Sequence, residues 1–104
     1  KSWGSFRVLD VEDASMTIKI TLTPGHGMNY HSHENRDEVW TVISGTGHAI
    51  LDGVRRDVKP GDILTMPAGC RHTVFADSEL KIIEVQLGPA ISVEDKQKYP
   101  LPQA

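Results

Sequence analysis

At 104 residues and a formal charge of −3, the chain has room for one compact domain and little attraction for nucleic acid or an acidic membrane. Its hydrophobic fraction of 38% and charged fraction of 24% are those of a soluble globular protein, and its apolar runs are too short to span a bilayer. No segment reads as a signal peptide, and the single cysteine, Cys70, excludes an intrachain disulfide, so a reducing cytoplasm is the expected setting.

The first residue is Lys1 rather than Met, which leaves open whether the chain is free-standing or a piece of something longer. In chain order, "SMTIKITLTPG" alternates Met16, Ile18, Ile20 and Leu22 with Thr17, Lys19 and Thr21, the period of a half-buried strand, and Pro24-Gly25 ends it. "EVWTVISGTG" is rich in β-branched and aromatic residues and stops at Gly45 and Gly47. "HAILDG" predicts a strand closed by the hairpin pair Asp52-Gly53. "KPGD" at 59–62 is a further turn, followed by the strand "DILTMPAG", halted by Pro67 and Gly69. "RHTVFA" and "LKIIEVQLG" supply two more strands. Turns recur at the 8–12-residue spacing of an all-β sandwich or barrel. Near the end, "ISVEDKQKY" predicts a short helix capped by Ser92, or coil, and "PLPQA" a loose tail. The expected organisation is a single domain over 1–104, with its core at about 3–92 and a tail at 93–104.

"NYHSHENRDEVW" carries the chemistry. On an extended strand, His31 and His33 project from the same face, with Asn29 beside them; on a helix they would diverge. Glu38 opens the next strand, with Trp40 and Val42 on its face, and "PAGCRHTVF" brings His72 from elsewhere in the chain. Three imidazoles and a carboxylate suit one divalent ion, Zn above all, or Mn, Fe, Co or Ni, with positions left for water or substrate. Such a pair of histidines is also compatible with plain surface polarity.

Residues 25–45 read G-x5-H-x-H-x4-E-x6-G, from Gly25 to Gly45, and residues 61–72 read G-x5-P-x-G-x2-H, from Gly61 to His72. This pair resembles the two signature motifs of the cupin family, with Ala76 where the second usually ends in Asn. The resemblance implies an all-β fold, the antiparallel jelly-roll barrel or double-stranded β-helix. It also implies a metal held in the barrel mouth by His31, His33, Glu38 and His72.

Outside the motifs, "KSWGSFRVLD" is similar to the opening of the C-terminal cupin domain of the type II mannose-6-phosphate isomerases, a family often fused to a mannose-1-phosphate guanylyltransferase. Arg36, Glu38 and Trp40 keep that family's R-x-E-x-W order, and "IIEVQLG" resembles its I-E-V-Q-x-G strand. Asn29 stands where the family has Gln, two extra residues, Glu34 and Asn35, precede the Arg, and "KQKYPLP" replaces the family's closing segment.

The implied activity is interconversion of mannose 6-phosphate and fructose 6-phosphate, the metal polarising the oxygens on C1 and C2. Arg36 is the leading contact for the phosphate, with Arg71 second and Asn29 beside the substrate. The general base is not identified; Glu84, His48 and Lys19 qualify by residue type. Trp40 and Phe75 read as packing, Trp3 as a cover on the barrel edge, Cys70 as a loop residue, and His26 and His48 as exposed polar groups. Val39, Thr41 and Ile43 on the far face of Glu38's strand suggest that both faces are covered, as in a homodimer. The rival readings are a cupin dioxygenase using Fe(II) or Ni(II), and a non-catalytic sugar- or metabolite-binding domain.

Overall fold

The computed structural model describes residues 2–92 and 94–102. Ten strands follow one another: β1 (Gly4–Glu12), β2 (Ser15–Leu22), β3 (Tyr30–Ser32), β4 (Asp37–Ser44), β5 (Gly47–Leu51), β6 (Val54–Val58), β7 (Ile63–Met66), β8 (His72–Ala76), β9 (Leu80–Leu87) and β10 (Gln97–Tyr99). They form two five-stranded antiparallel sheets, in the orders β1-β2-β9-β4-β7 and β10-β3-β8-β5-β6. The expected jelly roll is present, and the described residues contain no helix.

Alternation decides what lies between the sheets. Ile18, Ile20, Leu22, Trp40, Val42, Leu64, Met66, Leu80 and Ile82 of the first sheet meet Ala49, Val58, Val74 and Ala76 of the second. Trp40 is fully buried there, so it packs the core rather than offering a sugar platform. Asp52 and Gly53 take positive φ values of 48° and 83°, the backbone demanded by the tight β5–β6 hairpin. Gly45 has φ of 88°, and a Cβ there would run into the Glu79 carbonyl, so the last glycine of the first motif is required twice over.

The helix anticipated from Ser92 does not form. Ser92 does begin a turn, its Oγ accepting from Glu94 N (3.2 Å) and its carbonyl from Asp95 N (3.2 Å). The turn stops there because the next residues find partners across the molecule. Gln97, Lys98 and Tyr99 pair with Ser32, His31 and Tyr30, extending the second sheet beyond β3. Edge pairing satisfies these backbone groups, and a helix of about two turns offers nothing comparable. No helix among the described residues is long and apolar enough to cross a membrane.

Candidate metal centre and its cavity

His31 and His72 face each other directly in the β3–β8 register, and His33 follows β3 by one residue. Their rings cluster with centroids 4.3 Å (His31–His72), 4.9 Å (His31–His33) and 5.4 Å (His33–His72) apart. One nitrogen from each lies within 4.8 Å of the others, and all three residues are buried. Glu38 reaches this cluster from the opposite sheet, Oε2 lying 3.2 Å from His33 Nε2 and Oε1 3.4 Å from His72 Nε2.

Each imidazole is held by its other nitrogen. Nδ1 contacts a backbone carbonyl in every case: Asn29 at 2.6 Å for His31, Asp95 at 2.6 Å for His33 and Cys70 at 2.9 Å for His72. A carbonyl only accepts, so all three Nδ1 atoms carry the proton, and in each neutral imidazole Nε2 presents a lone pair. His72 Nε2 is buried without a hydrogen-bond partner and points at a carboxylate oxygen. Two acceptors facing each other call for a cation between them. The donor set therefore fits a divalent metal, and these three histidines could hold one.

The electrostatics agree. Burial, helped by the neighbouring His72, lowers His31 to about 3, and burial lowers His33 as well, so both are neutral at pH 7. Burial alone would push Glu38 up, but the surrounding His72, His33 and Arg36 side chains hold it at about 2.

Arg36 closes the cluster on one side. Its Nε donates to Glu38 Oε2 (2.8 Å), Nη2 to His33 Nε2 (3.0 Å) and Nη1 to the Ser92 carbonyl (3.4 Å). A metal using His33 Nε2 would have to move that Nη2 aside. Trp40 Nε1 donates to Glu38 Oε1 (3.2 Å), fixing the carboxylate from below.

His31, His33 and Glu38 of the cluster line a cavity of about 230 Å³ together with Arg36, Glu84 and Gln86. Trp3, Phe6, Met16 and Ile91 supply apolar wall, and Lys96 and Ser92 stand at its C-terminal side. Glu84, directly across from Trp40 on β9, is 4% exposed. Burial, then the charge of Glu38, pushes its carboxyl up to about 8, and Gln86 Nε2 donates to its Oε2 at 2.6 Å.

Sequence reading brings together His31, His33, Glu38, His72 and Arg36, and of its three base candidates it is Glu84 that lines the cavity. Lys19 lies on the outer face of β2, beside a separate hollow. His48 is half-buried rather than exposed, because its ring stacks on Phe75 at 5.1 Å outside the barrel. Asn29 and Arg71 do not line the cavity: Asn29 serves through its carbonyl, and Arg71 lies over the Tyr99 ring at 3.8 Å. Gln86, Asp95 and Lys96 escape the sequence reading. Gln86 had a signal, since Glu84 and Gln86 continue the buried face of Leu80 and Ile82, where apolar residues belong. Lys96 and Asp95 had none, because only folding returns their segment to the barrel.

The family model for the cupin domain matches residues 18–86. The chain belongs to the cupin family. Over 97 residues, 91% of its length, it is 24% identical to mannose-1-phosphate guanylyltransferase of Klebsiella pneumoniae, and it spans about a fifth of that relative (21%). Among solved structures it is similar to KdgF from Halomonas sp., with a TM-score of 0.82 and 20% identity over 88% of this chain and 84% of that one. It is also similar to salicylate 1,2-dioxygenase from Pseudoaminobacter salicylatoxidans, with a TM-score of 0.80 and 14% identity over 86% of this chain and 26% of the other.

Proposed function

We propose that the protein is a metal-dependent sugar-phosphate isomerase that interconverts mannose 6-phosphate and fructose 6-phosphate. The observation that carries this reading is Glu84, a buried carboxyl near neutrality inside the cavity that holds the histidine cluster. An aldose–ketose isomerisation needs a base whose pKa lies close to working pH, and a dioxygenase has no comparable requirement. The similarity to the guanylyltransferase over most of the chain supports the same substrate class.

His31, His33, Glu38 and His72 would hold the metal, which supplies Lewis-acid polarisation of the two reacting oxygens. Glu84, as the carboxylate, takes the proton from C2 of the aldose and, as the acid, returns it to C1, while the proton of the C2 hydroxyl passes to the oxygen on C1. Gln86 fixes the rotamer of that carboxyl through its 2.6 Å bond. Trp3, Phe6, Met16 and Ile91 keep water from the exchanging proton. Arg36 is committed to Glu38 and Ser92, so it orients the carboxylate as well as facing substrate, and Lys96 adds a second cation for the phosphate. We place a homodimer interface on the outer face of the first sheet, where Ile43 and Ile63 are 48% and 59% exposed.

The test is turnover of mannose 6-phosphate in a coupled assay, with metal analysis of protein purified without added metal. Bound zinc or mixed metals with turnover supports the isomerase, and Glu84→Gln should then lower kcat by about 10²–10⁴-fold. Lys96→Met should raise KM for the phosphorylated sugar. Bound iron with O2 uptake and no isomerisation would replace this reading by a dioxygenase.

A further inference from the structure

Asp95 is held in an unusual way for a residue of a C-terminal segment. Its two carboxylate oxygens each accept a backbone N–H of the loop after His33, Oδ1 from Glu34 at 2.9 Å and Oδ2 from Asn35 at 2.8 Å. Glu34 and Asn35 are the two residues by which this chain exceeds the isomerase pattern, so the insertion supplies the pair of donors. Consecutive N–H groups turned to one side form a natural seat for a carboxylate. The same residue's own carbonyl accepts from His33 Nδ1 at 2.6 Å. Three contacts thus converge on one residue, two holding it in place and the third using it.

His33 is constrained from both ends by groups with a single role. The Asp95 carbonyl can only accept, which puts the proton on Nδ1, and the Arg36 guanidinium can only donate, which requires a lone pair on Nε2. His31 and His72 differ: their carbonyls come from two residues upstream on the same segment, Asn29 and Cys70. His33 alone depends on a residue 62 positions away in sequence.

We infer that Asp95 is a positioning residue for metal capture: its carboxylate, seated on the Glu34 and Asn35 amides, holds its carbonyl against His33 and so selects the tautomer and orientation in which His33 offers Nε2. The inference rests on the metal-binding reading above. Because Ile91, Ser92 and Lys96 of the same segment line the cavity, the residue that prepares His33 also fixes the C-terminal wall of the site.

The experiment compares full-length wild type, Asp95→Ala and Asp95→Asn. Metal affinity is read by Zn(II) titration against a competing chelator, and histidine tautomers by long-range 1H–15N NMR on metal-free protein. Loss of an outer hydrogen-bond partner of a ligating histidine typically weakens metal binding about 10–100-fold, which is the shift expected for Asp95→Ala. In its metal-free spectrum His33 should lose its pure Nδ1–H tautomer while His31 and His72 keep theirs. Asp95→Asn retains one acceptor oxygen and should fall between the two.

An Asp95→Ala protein with wild-type Zn(II) affinity and an unchanged His33 tautomer would overturn the inference. So would equal disturbance of all three histidines, which marks a general structural role. If wild type itself takes up no Zn(II), the metal-binding reading fails, yet the His33 tautomer still decides whether Asp95 positions it.

Discussion

Replacing Glu84 with Gln should remove a fall in stability that the wild-type protein shows between pH 6.5 and 8. Glu84 is buried beside the Glu38 carboxylate, and folding raises its pKa from 4.5 to about 8. Across that interval the folded protein keeps a proton that the unfolded chain has released, so unfolding gains ground as pH rises. Below 6.5 the effect is opposed by His31, whose pKa is lowered to about 3: there the unfolded chain binds a proton that the folded protein refuses. Above 6.5 the unfolded His31 and His33 lose their remaining protons, which opposes the fall by at most about 0.8 kcal/mol, while Glu38 is ionised in both states and the raised Cys70 thiol does not enter until pH 9. Glu84 is the shifted group that drives stability down across the interval. One and a half pH units at 1.36 kcal/mol per unit, less about 0.4 because Glu84 is half-ionised at pH 8, make its contribution a loss of about 1.6 kcal/mol. Gln has nearly the same shape, and its amide oxygen can accept from Gln86, so the variant should lose this decline and hold level or rise slightly through the histidines over the interval. Urea denaturation of chelator-treated protein at pH 6.5, 7, 7.5 and 8 measures both slopes. A wild-type profile parallel to that of the variant would refute the assignment of Glu84 as a carboxyl protonated near neutrality.

Other substitutions test other parts of the structure. His33→Ala should abolish metal retention through purification, read by elemental analysis, and full occupancy in that variant would remove His33 from the ligand set. Gly47→Ala places a Cβ against the backbone carbonyl of Phe75, which cannot rotate away, and should cost about 1–3 kcal/mol, seen as a clear drop in Tm. Ile63→Arg puts a charge on the outer face of the first sheet and should convert a dimer to a monomer in sedimentation experiments. A wild-type monomer would dispose of the interface proposal. In acid, metal-free protein should lose stability as pH falls from about 4.5 towards 3, where Glu84 is protonated in both states and no longer offsets His31, which is forced neutral in the fold, and His31→Gln should blunt that loss.

Much of this architecture is local. Met16, Ile18, Ile20 and Leu22 alternate because a strand with one buried face must alternate, and Asp52-Gly53 turns because its positive φ values suit those residues. The spacing of His31, His33 and Glu38 is legible for the same reason: two histidines two apart on an extended segment share a face, whatever surrounds them. That spacing, with the paired glycines and the distant His72, also carries the family. Other features depend on which segments meet. The turn at Ser92 is a helix start by local preference, and β10 overrides it because β3 has an edge to offer. Glu84 is an ordinary glutamate in sequence. Its pKa of about 8 exists only because β9 sets it beside β4, out of water and against Glu38. Asp95 and Lys96 join the site by the return of the chain's end over the barrel mouth, a contact across 62 residues that no local pattern encodes. Periodicity and motif spacing are properties of neighbouring residues, so the sequence by itself determines them. Desolvation, like-charge proximity and long-range hydrogen bonds are properties of the assembled sheets, and only the tertiary structure decides those.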